Sequence, residues 1–82
     1  MSSQEVPPSL RNILADVLEL SPEQVTPDLN AAAAANWDSF RHLQLILAIE
    51  DEFGVQFDPQ RIPELTSVSL LQAELEKKGA SL

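Results

Sequence analysis

The sequence predicts an all-α domain of three main helices plus one short helix, and three observations predict it. Apolar residues recur at helical spacing in three separate stretches, and the long connection between the first two shows no strand-like alternation. Helix-starting residues precede each stretch, and proline or glycine follows it. The chain has 82 residues, 44% of them hydrophobic, which suits one small core and is too apolar for a disordered chain.

Residues 1–8 read as a flexible lead-in ending at Pro7-Pro8, residues 9–79 as the domain and residues 80–82 as a tail. Ser9 can cap a first helix whose Leu10, Ile13, Leu14, Val17 and Leu18 form one buried face. That helix should stop near Leu20, because Ser21-Pro22 follows. Ser21-Pro22-Glu23-Gln24 has the form of a capping box with proline at the first helical position, so a single turn can form there. The connection from Val25 to Asp38 is long for a compact domain. Its alanines, 31–35, can make a short turn or serve as a spacer.

The second helix should run from about Ser39 to Phe53, with Asp38 as N-cap and Gly54 as stop. Phe40, Leu43, Leu45, Ile46, Leu47, Ala48, Ile49 and Phe53 make it apolar over most of its circumference, the pattern of a buried central helix. Its polar stripe, Arg41, Gln44 and Asp51 with Glu50 and Glu52 alongside, is a candidate docking surface. Asp58-Pro59 can open a brief turn that Pro63 should interrupt. Thr66 or Ser67 then caps a last helix burying Val68, Leu71 and Leu75. Lys77 and Lys78 suit its negative end, and Gly79 its stop. No internal repeat is present.

With no cysteine there is no disulfide or thiolate metal site, and a single histidine excludes a His-rich metal centre. Thiol chemistry would have to arrive on a cofactor. Thirteen acids against five bases leave a charge of −8, which disfavours nucleic acid and anionic membranes and favours partners with basic surfaces. MSSQEVPPS lacks the basic and apolar segments of a secretion signal, and no stretch is apolar enough for a membrane span. A cytoplasmic monomer without membrane insertion is the expectation.

The segment NWDSFRH, residues 36–42, carries the chemical question. Ser39 has an acid before it and His42 three residues on, close enough on a helix to suggest a nucleophile and its base. A hydrolase also needs an oxyanion site, a substrate pocket and a group to orient the base, for which so short a chain has little material. As a helix cap Ser39 would be redundant beside Asp38. As an attachment point it fits: the unpaired N–H groups and positive end of a helix favour a phosphate ester placed there. The modifying enzyme then brings the catalytic base.

Asp38-Ser39-Phe40, followed by LQLILAIEDEFGVQF and later by LTSVSLL, resembles the acyl carrier protein family over about residues 9 to 78. The family pattern is Asp-Ser-Leu at the start of the second helix, then an apolar stretch and an acidic cluster ending in phenylalanine. Here the pattern reads D-S-F and E-D-E-F at the matching spacing. The resemblance implies a four-helix bundle with a long loop between its first two helices, and 4′-phosphopantetheine on Ser39. A phosphopantetheinyl transferase would install that arm from coenzyme A, and acyl groups would ride on its thiol as thioesters, with no catalysis by the carrier. It also implies partner recognition by Asp38, Phe40, Leu43, Leu47, Glu50 and Asp51, with Arg41 and Gln44 in the same patch. Leu43 and Leu47 would serve a core equally well. Ile62, Leu65, Val68 and Leu71 would line an interior where an acyl chain can tuck, or simply pack the bundle.

The chain departs from the family pattern around the motif. Arg41 and His42 stand where an acid usually follows, and Gln44 takes the next acidic position. The docking helix is thereby less negative at its top, which suggests a specialised pathway over housekeeping fatty-acid synthesis. His42 reads as a surface residue of that patch. Ala31 and Ala35 replace larger apolar residues, and Asn36 stands for a glycine, as asparagine tolerates left-handed backbone. Trp37 would lid the end of the bundle. An aminoacyl or peptidyl carrier, or an unmodified helical interaction module, are the other readings.

Overall fold

The structure, a computed structural model, describes residues 6–80. α1 spans Pro8–Leu18 and begins one residue before Ser9, with Pro7 as N-cap. Proline suits the first helical position because its missing N–H would have found no helical partner there. Leu10, Leu14 and Leu18 are fully buried, while Ile13 and Val17 are partly so. The helix ends short of Leu20, at Glu19, whose φ of 57° and ψ of 46° are left-handed. The Leu20 N–H there bonds back to the Ala15 carbonyl at 2.9 Å. Val6, in the expected lead-in, is 2% exposed and belongs to the core. Residues 1–5 of that lead-in lie outside the described residues, as do 81–82 of the tail, whose Ala80 packs against the core.

α2, Ser39–Phe53, has the expected ends: Asp38 accepts the N–H of Arg41 at 2.9 Å, and Gly54 closes it at φ 66°. Its packing differs from expectation. Leu45, Ile46 and Ile49 face the core, but Phe40, Leu43 and Leu47 are 69%, 55% and 66% exposed. A domain this small covers only one face of its longest helix, so the second apolar stripe meets water.

α3, Val68–Lys77, starts on Ser67, whose hydroxyl accepts the Leu70 N–H at 3.1 Å. Val68, Leu71 and Leu75 are fully buried as the spacing predicts. Glu74 is buried beside them and is held by Arg61 at 3.2 Å and Lys77 at 3.8 Å. Such pairing is what a carboxylate at the edge of a core requires.

No fourth α-helix forms among the described residues. The chain makes two three-residue 3₁₀ turns instead, Pro22–Gln24 and Ile62–Glu64. The Gln24 side-chain oxygen accepts from the backbone N–H and hydroxyl of Ser21 at 2.9 and 3.0 Å. Asp58 opens a turn, its carbonyl accepting the N–H groups of Arg61 and Ile62 at 2.8 and 3.2 Å, and Pro63 follows at an early position of the second 3₁₀ turn, which needs no N–H there.

The connection between α1 and α2 is fastened at its middle to the start of α3. Ala31 N–H bonds to the Thr66 carbonyl at 2.9 Å, Val68 N–H to the Leu29 carbonyl at 3.0 Å, and the Ser69 hydroxyl donates to the Pro27 carbonyl at 2.6 Å. Asn30 and Ser67 form an isolated bridge, and no strand is present among the described residues. The alanines make a turn closed by the N–H groups of Ala33 and Ala34 on the Asn30 carbonyl, with Ala31 and Ala34 packed against the core. Among the described residues, no helix is long and apolar enough to cross a membrane.

Candidate functional site

Ser39 is the first residue of α2, directly after the capping Asp38, and both are exposed. The Asp38 cap engages the Arg41 N–H, leaving the N–H groups of Ser39 and Phe40 without a helical partner. The Ser39 hydroxyl takes part in none of the hydrogen bonds among the described residues. Beside it opens a cavity of about 370 Å³ lined by Ala31, Trp37, Asp38, Ser39, His42, Leu43, Ile62, Pro63 and Thr66. Three stretches of chain meet there: Ala31 from the middle of the first connection, Trp37 to Leu43 running into the first turn of α2, and Ile62, Pro63 and Thr66 from the second 3₁₀ turn and just beyond it. An uncommitted hydroxyl at a helix N-terminus, with room alongside, suits a covalently attached arm with a phosphate ester at its root.

His42 is not the surface residue its position suggested. It is 9% exposed and bonded at both ring nitrogens. The Trp37 indole N–H donates to Nδ1 at 3.0 Å, and Nε2 lies 2.7 Å from the Ile62 carbonyl oxygen. An indole nitrogen can only donate, so Nδ1 must accept, and the proton must sit on Nε2 to meet the carbonyl. The two rings lie 6.2 Å apart at 29°. Histidine is here because the position shares a face of α2 with Ile46 and Ile49 yet must join two polar groups across a gap. Losing one of these bonds would strand a buried polar group, at about 1–3 kcal/mol. With neither nitrogen free, His42 has no lone pair to offer Ser39, and the nucleophile-and-base reading loses its base.

Arg41 and Asn36 also reach back to α1. Arg41 Nη1 donates to the Val17 carbonyl at 2.6 Å and Nη2 lies 3.7 Å from Glu19, while the Asn36 amide donates to the Leu18 carbonyl at 3.0 Å. Together they cover carbonyls that α1 leaves unpaired at its C-terminus. Asn36 is not left-handed: Glu19 is the one non-glycine residue with positive φ among those described. Neither role is legible locally, because the partner carbonyls lie 18 and 24 residues away.

Of the residues considered for partner recognition, Asp38, Phe40, Leu43, Gln44, Leu47 and Asp51 are exposed along α2. Glu50 is partly buried, and its carboxylate accepts the Phe57 N–H at 2.8 Å. Of those considered for an acyl pocket, Ile62 lines the cavity, whereas Leu65, Val68 and Leu71 are fully buried in the core and do not. Thr66 and Pro63, which sequence reasoning did not place near Ser39, arrive through the fold. No local pattern marks them.

A family model described as "Phosphopantetheine attachment site" matches residues 8–75. An "Acyl carrier protein" of Thermosynechococcus vestitus is 35% identical over 68 residues, covering 83% of this chain and 84% of that protein. An "Acyl carrier protein" of Picosynechococcus sp. is 28% identical over 80 residues, covering 96% and 99%. "Polyketide-8 synthase acyl carrier protein 2" of Streptomyces avermitilis is 36% identical over 67 residues, covering 82% and 74%. Carriers of this kind bear 4′-phosphopantetheine covalently and interact with biosynthetic enzymes. A helical fold with a free serine at the start of its second helix, matched by that model over nearly all its length, places the chain in the acyl carrier protein family.

Proposed function

We propose that Ser39 carries the 4′-phosphopantetheine arm and that the chain presents thioester-linked acyl groups to the enzymes of a specialised biosynthetic pathway. The observation that carries this reading is the exposed Ser39 hydroxyl, uncommitted to any internal bond, at the N-terminus of α2 and the edge of a cavity. The arm, when bound, supplies the terminal thiol that a chain without cysteine lacks. The chain's own part is positioning. Asp38 caps α2 and holds the serine at its first turn, and the open N–H groups beside it favour the negative charge of a phosphate ester.

The partners in this reading are a phosphopantetheinyl transferase and acyl-loading and acyl-transferring enzymes with basic docking surfaces. They meet Asp38, Phe40, Leu43, Gln44, Leu47 and Asp51 along α2. Arg41 and Glu50 support that surface from within, since both are bound to the chain's own backbone. Favouring a dedicated pathway are the exposed apolar stripe, the replacement of acids by Arg41 and Gln44, and the likeness to a carrier named for a polyketide synthase.

The test is intact mass after incubation with coenzyme A and a broad-specificity phosphopantetheinyl transferase, beside Ser39→Ala. The wild type gains one phosphopantetheinyl group and the variant none. No gain with several transferases would leave an unmodified interaction module as the better reading.

A further inference from the structure

The cavity beside Ser39 ends abruptly. Ser39, His42, Ile46 and Ile49 follow one another along one side of α2, so the route along that helix from the serine toward the core passes His42. The side chains beyond it, Leu45, Ile46, Ile49, Leu65, Val68 and Leu71, are at most 2% exposed, and none lines the cavity. Trp37, His42 and Ile62 all do. These three are joined by the hydrogen bonds at 3.0 and 2.7 Å that span from the first connection through α2 to the Ile62–Glu64 turn. On the α2 side the wall between cavity and core is thus a bonded bridge, and it does not part as loosely packed apolar side chains would.

We infer that the Trp37–His42–Ile62 bridge is the specificity-determining barrier of the carrier: it admits the root of the arm and a short acyl group to the cavity and bars longer chains from the core. The inference rests on Ser39 as the arm site. Opening the route separates the bridge and takes from the buried indole N–H and imidazole the partners they have in the closed fold. An apolar chain offers none of these groups a partner. Its length therefore stays outside the bundle, where a partner enzyme reaches it without first extracting it. His42 is a positioning residue in this scheme; it touches no reacting atom.

The experiment compares butyryl and dodecanoyl groups loaded through the arm, with two readouts: melting temperature of the loaded carrier and the rate of thioester cleavage by hydroxylamine. In the wild type the dodecanoyl form should melt no higher and be cleaved no more slowly than the butyryl form. In His42→Leu, which fills the position without bonding across it, the dodecanoyl form should melt higher than the butyryl form and be cleaved several-fold more slowly. Trp37→Phe, which removes only the indole N–H donor with part of the ring, is the second variant should His42→Leu not fold. A wild-type carrier whose dodecanoyl form is stabilised and protected overturns the inference, and that comparison needs no variant. A folded variant that remains indifferent to chain length overturns the assignment to the bridge. Failure of Ser39 to accept any arm shows as an unchanged mass at the loading step, and so is told apart from failure of the barrier.

Discussion

Trp37 and His42 show how much a single contact can decide. A tryptophan before the Asp-Ser pair and a histidine after it looked unrelated, one a lid and the other a surface residue. Their bond makes them one unit, buried at 5% and 9% exposure. Two signals for it were present in the sequence. His42 falls on the same side of the helix as Ile46 and Ile49, and a tryptophan destined for burial needs an acceptor for its N–H. The third member, the Ile62 carbonyl, was out of reach, because only the fold brings residue 62 across. Trp37→Phe should cost about 1–3 kcal/mol in denaturant unfolding, the range for stranding a buried polar group. A loss well under 1 kcal/mol would mean that Nδ1 finds a replacement donor and that the bond contributes little.

Helix ends were legible where a side chain or a glycine sets them. Asp38 and Gly54 bound α2, and Ser67 opens α3, because cap chemistry is local. The start of α1 was misread by two residues, the cap being Pro7 in place of Ser9, since proline at its first position competes with the capping signal of Ser9. The larger miss concerns faces. α2 carries two apolar stripes, and nothing within its fifteen residues tells which one the rest of the chain will cover. The two should respond oppositely to mutation. Ile46→Ala should destabilise by about 2–5 kcal/mol, as large-to-small changes in a core do. Leu47→Ser should stay within about 0.5 kcal/mol, as exposed positions do, while weakening the partner docking proposed for that stripe. Paired unfolding curves settle it; equal losses would mean that Leu47 is covered in solution.

At the scale of the molecule, the charge of −8 read from composition is borne on a surface where Asp51 and Glu52 lie exposed next to Glu50. Self-repulsion of that kind is screened by salt and relieved by divalent cations. The melting temperature should therefore rise with magnesium or moderate salt, by calorimetry; a flat response would mean that the acids are already compensated. Helix content and the serine at the head of α2 were legible, being written in periodicity and caps. The cavity, the bridge across it and the carbonyl-covering roles of Arg41 and Asn36 were not, being products of chain crossing.

The fastening of the first connection to α3 bears on how the fold opens. Ser69 and Pro27 lie 42 residues apart, and closing so long a loop is entropically costly, so the bonds there form only when most of the chain is in place. The amides of Ala31 and Val68, paired across the same junction, can be freed only by parting the connection from the helix. In native-state deuterium exchange they should behave as reporters of global opening, protected to the full unfolding free energy. Ala33, closed by its own local turn, should exchange far sooner. If Ala31 and Val68 exchange as fast as Ala33, the junction opens on its own, and the wall of the cavity that Ala31 and Thr66 provide would breathe independently of the bundle.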